Sequence, residues 1–115
     1  MSIRPTRLGG RALVNVAGES HYQEALHEIA KGEQRLEVTA ALIPEPSNPH
    51  DPNAVRVEID GKLVGYLPRA AAVAYGPLIK EPADRGRTAV CEAMVSGREG
   101  LFGVFLKLPE ADSES

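Results

Sequence analysis

The chain has 115 residues, a formal net charge of −3 and one cysteine, Cys91. This length predicts one domain with a hydrophobic core of its own, and a lone cysteine excludes an intrachain disulfide. No apolar run reaches membrane-spanning length, and no apolar segment follows the early arginines as it does in a signal peptide. The sequence therefore predicts a cytoplasmic protein with no membrane partner.

The acidic residues are unevenly placed along the chain. Glu110, Asp112 and Glu114 lie in a polar C-terminal segment, residues 109–115, whose composition predicts a disordered acidic tail. The rest of the chain carries 13 basic and 13 acidic residues, since three of the 16 acidic residues are in the tail. Net charge therefore disfavours a nucleic-acid binder only mildly, because a neutral body can still carry a local basic face.

The N-terminal segment, residues 1–11, contains Pro5 and the pair Gly9-Gly10. These residues predict a flexible lead-in to the domain. The segment 12–108 is left as the folded domain.

The first strand is predicted at residues 12–16, and a helix follows over residues 20–31. Ser20 stands at the N-cap position with Gln23 three residues later, the spacing of a capping box, and Lys31-Gly32 ends the helix. Apolar residues recur at helical spacing on one face, namely Tyr22, Ala25, Leu26, Ile29 and Ala30.

Two strands follow the helix, and the second of them begins a hairpin. Residues 35–43 and 55–59 alternate between apolar and polar side chains, as half-buried strands do. Asp60-Gly61 is typical of a type I′ turn, so residues 62–67 are predicted to be the return strand. Gly65 inside that strand predicts a bulge or a close backbone approach.

A second helix is predicted over residues 69–75, ending at Gly76-Pro77, with a polar loop after it. Two final strands, 87–96 and 101–108, are joined by a predicted hairpin turn at 97–100. About six strands and two helices with few long crossovers predict a mainly β fold. We expect a small antiparallel barrel or strongly curved sheet with helices at its ends.

The segment 45–54, called the proline loop below, carries three prolines between two predicted strands. Each proline fixes its own φ and restricts the residue before it, so the loop should be stiff. Asn48, Asp51 and Asn53 can bond the local backbone. A stiff loop that also presents an amide, the His50 imidazole and a carboxylate is suited to holding a ligand.

Three motifs occur in order along the chain. They are Val16-Ala17-Gly18 followed by Tyr22, then Asn48-Pro49-His50-Asp51-Pro52-Asn53-Ala54-Val55-Arg56-Val57, then Gly61-Lys62-Leu63-Val64-Gly65-Tyr66-Leu67-Pro68. The second is similar to the Asn-Pro-aromatic-Asp-x-Asn-Ala core of the HIRAN domain family, and the third to that family's Val-Gly-(His or Tyr)-Leu strand end. The resemblance covers residues 12–108 and implies an OB-like antiparallel barrel.

In the best-understood branch of the HIRAN family, the domain binds single-stranded DNA and captures a free 3′ end. The resemblance therefore implies a non-enzymatic nucleic-acid-binding module, since helicase chemistry in the family belongs to fused domains. The implied nucleic-acid-binding residues are Asp51, Asn48, His50, Tyr66, Arg69, Tyr22 and His21.

The resemblance also implies a role for each of these positions. Asp51 would accept a hydrogen bond from the terminal 3′-hydroxyl, in a pocket that Asn48 helps to shape. Tyr66 and His50 would stack on bases, as would His21-Tyr22 after the first strand. Arg69 would contact phosphate.

Structural interpretations stand beside these roles. Asn53 is expected to be mainly a turn residue, and Asp51 can simply cap the following turn. The sequence has no zinc-ligand spacing and no cofactor signature, and His21 and His27 do not share a helical face.

Two rival functions remain open on the sequence. A protein-interaction or accessory module on the same barrel would explain the net acidity and the few aromatic residues. A hydrolase using His50 and Asp51 is harder to build, because adjacent side chains on an extended segment point apart. The oligomeric state and any protein partners are not indicated.

Overall fold

The computed structural model describes residues 5–110, and within that range it contains seven strands and two helices. The strands are β1 Thr6–Arg7, β2 Ala12–Asn15, β3 Arg35–Pro44, β4 Val55–Ile59, β5 Lys62–Tyr66, β6 Ala89–Arg98 and β7 Leu101–Leu108. The helices are α1 Gln23–Ala30, preceded by the short 3-10 helix Glu19–Tyr22, and α2 Arg69–Asp84.

The strands form one curved sheet in the order β2-β7-β6-β3-β4-β5. These neighbours are all antiparallel, and the short β1 adds a parallel pairing to β6 beyond the end of β7. The mainly β, antiparallel, OB-like architecture predicted from the sequence is confirmed.

The two ends of this sheet meet at one bridge between Ala17 and Tyr66. The Ala17 N–H donates to the Tyr66 carbonyl at 2.7 Å, and the Tyr66 N–H donates to the Ala17 carbonyl at 2.9 Å. One residue earlier, the Val16 N–H still donates to Val104 of β7 at 3.0 Å. The chain therefore passes from one edge of the sheet to the other within two residues, which closes the barrel wall.

Gly65 makes this closure sterically feasible. Its φ is +152°, and a Cβ placed there would lie 2.3 Å from Val16 Cγ1 and 2.7 Å from the Ala17 carbonyl oxygen. The β4–β5 register also shifts beside Gly65, from Val57↔Gly65 to Glu58↔Leu63, which makes Val64 the extra residue of a bulge. The bulge and the close approach predicted at Gly65 are both present.

The core fills the barrel and extends under both helices. Helix α1 packs against β5 and β7 through Leu26 and Ile29, and α2 packs against β3 and β6 through Ala72, Tyr75 and Ile79. The strands alternate between core and surface as predicted; in β4 every second residue is fully buried.

Helix α2 continues through Gly76-Pro77 to Asp84, so the predicted helix end and the loop after it are wrong. Pro77 and Pro82 cannot donate to the carbonyls four residues earlier, those of Val73 and Leu78. Both of those residues are on the solvent side, with 59% and 46% of their surface exposed, so water can satisfy the carbonyls. Burial of the opposite face of α2 therefore outweighs the loss of two helical hydrogen bonds.

The predicted capping box at Ser20 and Gln23 is also wrong. Ser20 lies within the 3-10 helix, and α1 begins at Gln23 without a side-chain cap. The Gln23 amide instead exchanges hydrogen bonds with the Phe102 backbone, with Nε2 donating at 2.9 Å and Oε1 accepting at 2.8 Å. This side chain therefore ties α1 to β7. The predicted helix end is confirmed, with Lys31 and Gly32 at positive φ.

Turns and termini differ from the predictions in detail. Asp60-Gly61 forms the expected turn with both residues at positive φ, whereas the second hairpin turns at Glu99-Gly100 because β6 extends to Arg98. Part of the predicted lead-in joins the sheet: β1 pairs with β6, and Leu8 is buried. The remainder, residues 1–4, and the tail beyond residue 110 lie outside the described residues.

Cys91 is fully buried in β6 and unpaired. Burial away from water raises the pKa of its thiol to about 11. The expected buried free cysteine is therefore confirmed. Neither described helix is both long enough and apolar enough to cross a membrane.

We predict that Gly65→Ala destabilises the fold by about 3 kcal/mol or more, because it combines backbone strain with overpacking against Val16. Gly61→Ala is the matched control, since Gly61 also has positive φ but no atom within 4 Å of its added Cβ. The control should lose about 1–2 kcal/mol. Denaturant unfolding measures both values, and equal losses in the two variants would contradict this role of Gly65.

Candidate nucleic-acid interface

The proline loop is held by its own hydrogen bonds. Asn48 Oδ1 accepts from the His50 N–H at 2.8 Å and from the Asp51 N–H at 3.1 Å, and Asp51 Oδ1 accepts from the Asn53 N–H at 2.9 Å. At the base of the loop, the Glu45 N–H donates to the Ala54 carbonyl at 2.9 Å. Together with the three prolines, these bonds make the loop stiff.

Glu45 joins this loop to the barrel wall. Its Oε1 accepts from Asn48 Nδ2 at 2.9 Å, and its Oε2 accepts from the Tyr66 hydroxyl at 3.2 Å and from Arg56 Nη1 at 3.4 Å. The Glu45 side chain is only 19% exposed. A single carboxylate therefore links the loop to both β4 and β5.

Arg56 is the central cation of this cluster. It lies directly across the β4–β5 ladder from Tyr66. Besides its bond to Glu45, its Nε lies 2.7 Å from Glu58 Oε2, although the N–H is not aimed at that oxygen. With two carboxylates against it, Arg56 stabilises the cluster and has little freedom to turn towards a ligand.

Tyr66 is half-buried, with its backbone in the closing bridge and its hydroxyl on Glu45. Burial is the largest cause that raises the pKa of its phenol above 10, followed by the nearby Glu45 carboxylate and the hydrogen bond to it. The charge of Tyr22 acts on this pKa in the same direction. The 3-10 helix that ends at Tyr22 packs against β5, the strand that ends at Tyr66.

Asp51 and Arg69 are also brought together. Asp51 Oδ2 lies 3.7 Å from Arg69 Nε at the first residue of α2, with side chains 22% and 80% exposed. The pair is loose, because the distance exceeds that of a hydrogen bond and Arg69 is mostly in water. Further along α2, Lys80 Nζ donates to Asn53 Oδ1 at 3.3 Å. The loop and α2 are therefore in contact at two points.

The two histidines predicted for the site are surface residues. The His50 and His21 side chains are both exposed, and the His21 ring meets that of Tyr22 edge-on at 6.4 Å between centroids. Asn48, in contrast, uses both ends of its amide inside the loop, so its role in the structure is to shape the loop.

The charges of the cluster are nearly balanced and slightly acidic. Three carboxylates, those of Glu45, Asp51 and Glu58, face two arginines, Arg56 and Arg69. Among residues 5–110, no group of three or more His, Cys, Asp or Glu side chains is arranged to hold a metal ion.

Sequence reasoning did not include Glu45 and Arg56 among the functional residues. A signal for each was present in the sequence. Glu45 is the first residue of the proline loop, directly after an apolar strand, and Arg56 is an outward-facing residue of an alternating strand. Their connection to Tyr66 depends on the β4–β5 register, which the bulge at Val64 shifts.

Comparisons with known proteins bear on the family and the fold of this chain. A family model described as the HIRAN domain matches residues 10–102. Among solved structures, the HIRAN domain of human HLTF is similar, with a TM-score of 0.53 and 22% identity over 90% of this chain and 79% of that one. At this identity the likeness shows the fold. Among curated proteins, none is similar enough to count as a match.

We predict that Tyr66 loses its proton above pH 10 in the folded protein, for the causes given above. Because the folded-state pKa is raised, the stability contributed by the protonated phenol is present below pH 10 and is lost as the pH rises through the folded value. The phenolate absorbance of the native protein minus that of Tyr66→Phe gives the midpoint. In denaturant the midpoint should return to about 10, and a native midpoint at or below 10 would contradict the assignment.

Proposed function

The chain belongs to the HIRAN domain family, a family of nucleic-acid-binding modules, and we propose that it binds single-stranded DNA at the proline loop, with a preference for a free 3′-hydroxyl end. The observation that carries this proposal is the convergence of Asp51, Tyr66 and Arg69. The first two are joined through Asn48 and Glu45, and Arg69 pairs loosely with Asp51.

The carboxylate of Asp51 supplies the preference for an end. Its Oδ1 is held by the Asn53 N–H, whereas Oδ2 has only the loose contact to Arg69. An ionised carboxylate accepts hydrogen bonds and cannot donate them, so it suits a terminal hydroxyl and repels a continuing phosphodiester. A strand end is therefore favoured over an internal segment.

Aromatic rings supply affinity without sequence preference. Tyr66 lies at the closing bridge, Tyr22 ends the 3-10 helix that packs against β5, and His50 and His21 are exposed. Stacking of a base on such a ring contributes about 1–3 kcal/mol. Each base stacked at the end of a strand would therefore add to the affinity whatever its identity.

Arg69 supplies a phosphate contact. Its side chain is 80% exposed and its contact to Asp51 is long, so little free energy is lost when it turns towards a phosphate. The same movement frees Asp51 Oδ2 for the hydroxyl. Arg69 can in this way exchange its contact with Asp51 for a contact with a phosphate of the bound strand.

The proposal describes a binding module and not an enzyme. His50 points its side chain into solvent, while the neighbouring Asp51 carboxylate is engaged by Asn53 and Arg69, so the two do not form an acid–base pair. The buried, unpaired thiol of Cys91 fits a reducing cytoplasm.

A protein-interaction module is the second candidate function. The excess of carboxylates over arginines at the cluster favours it, because it weakens attraction to phosphate. The solvent face of α2 also presents Val73 and Leu78, two of the exposed large apolar residues of the described chain.

We predict that oligonucleotides with a 3′-hydroxyl bind more tightly than the same oligonucleotides with a 3′-phosphate, and that Asp51→Asn erases the difference. Asparagine keeps an acceptor for the Asn53 N–H, so the turn survives while the charge is removed. Arg69→Ala should weaken both ligands and reduce the salt dependence by about one counterion. Fluorescence anisotropy over a salt series measures these effects.

Arg85→Ala is the matched control for Arg69→Ala. Arg85 follows the last residue of the same helix, is 64% exposed and pairs with Glu81. Its removal should leave both affinities unchanged, since about 24 Å of helix separates it from Arg69. Equal affinity of the wild type for the two ends would exclude end capture, and no binding at all would leave the protein-interaction function.

A further inference from the structure

We infer that Glu45 is the positioning residue of this interface: its carboxylate fixes the proline loop to the Tyr66 end of β5, so that the loop and the ring keep one spacing. Glu45 is in contact with both parts, through Asn48 on the loop side and through Tyr66 and Arg56 on the strand side. No role follows for it from the motifs alone, and the inference rests on the proposed function only where a ligand is concerned.

On the loop side, Glu45 acts through Asn48. The Asn48 amide donates through Nδ2 to Glu45, and this bond orients Oδ1 towards the backbone N–H groups of His50 and Asp51. Those two N–H groups belong to the residues proposed to meet the ligand. The orientation of the Glu45 carboxylate therefore reaches Asp51 through two successive hydrogen bonds.

On the strand side, Glu45 is fixed by Tyr66 and Arg56. The phenol and the guanidinium both donate to Oε2, and the Glu45 backbone is itself held by Ala54 at the base of the loop. The side chain is 19% exposed, so these bonds compete little with water. Glu45 therefore cannot reorient without breaking contacts on both sides.

A carboxylate is needed at this position because every partner is a donor. Asn48 Nδ2 faces one oxygen, and the Tyr66 hydroxyl and Arg56 face the other. Glutamine would replace one acceptor by an NH₂ group, which must then face a donor on one side. Glu45→Gln should therefore break the link between the loop and Tyr66 although the side chain keeps its size.

The test compares Glu45→Gln with Glu58→Gln. Glu58 is the matched control because its side chain is 20% exposed, as buried as Glu45, and it pairs with the same arginine, whereas the hydrogen bonds from Asn48 and Tyr66 go to Glu45. Both variants lose one negative charge beside Arg56. Tyr66→Phe is a third variant that removes only the phenol oxygen and leaves Glu45 in place.

The first measurement is amide hydrogen exchange at His50 and Asp51, followed by NMR. Loss of a hydrogen bond to a charged group in Glu45→Gln should speed exchange at these two amides by about tenfold, and Glu58→Gln should leave it unchanged. Tyr66→Phe should speed exchange at the same two amides by a smaller factor, because it removes only one of the hydrogen bonds to Glu45. Residue 66 itself lies outside the loop. Unchanged exchange in Glu45→Gln, or the same increase in Glu58→Gln, would overturn the inference. If Glu45→Gln does not fold, unchanged exchange at these two amides in Tyr66→Phe would overturn it instead.

The second measurement is binding of the 3′-hydroxyl oligonucleotide by the same variants. Glu45→Gln should lose about tenfold in affinity and Glu58→Gln should stay within about twofold of the wild type. Equal losses in both would overturn the positioning role. If the wild type itself does not bind, the proposed function fails while hydrogen exchange still tests the link through Glu45.

Discussion

The closure of the barrel between Ala17 and Tyr66 is the constraint on which the interface depends. It requires a bare backbone at Gly65, where any side chain would collide with Val16. Closure accompanies the packing of the 3-10 helix that ends at Tyr22 against β5. The segment that carries Tyr22 follows β2 at one edge of the sheet, and Tyr66 ends β5 at the other edge, so closure of the barrel brings the two segments together.

Electrostatics divides the charged residues of this region into two groups. Glu45 and Glu58 are partly buried and both pair with Arg56, so one of the two negative charges is balanced there and one remains. Asp51 and Arg69 are held more loosely, and Arg69 is mostly in solvent. Within the first group, Glu45 links the proline loop to Tyr66, and the second group keeps charges that can be exchanged for those of the proposed ligand.

The sequence predicts the barrel well because its main signals are local. The alternation of apolar and polar residues predicts β4, and the Asp60-Gly61 pair predicts the hairpin turn, in which both residues have positive φ. The errors arise where tertiary contacts outweigh local preference: α2 passes Pro77 because its buried face continues, and Gln23 bonds the distant Phe102 backbone instead of capping a helix. Glu45 was missed as a functional residue for the same reason, since its partners on β4 and β5 are defined only by the fold.

The closing bridge also determines where the barrel wall can open. It consists of one residue pair, Ala17 and Tyr66, whereas each other seam around the ring joins at least four pairs of residues. Local opening begins where the fewest backbone hydrogen bonds must break, so we expect this seam to be the first part of the wall to open. The candidate site therefore lies between a stiff loop and the seam where we expect the barrel wall to open first, without unfolding of the rest of the barrel.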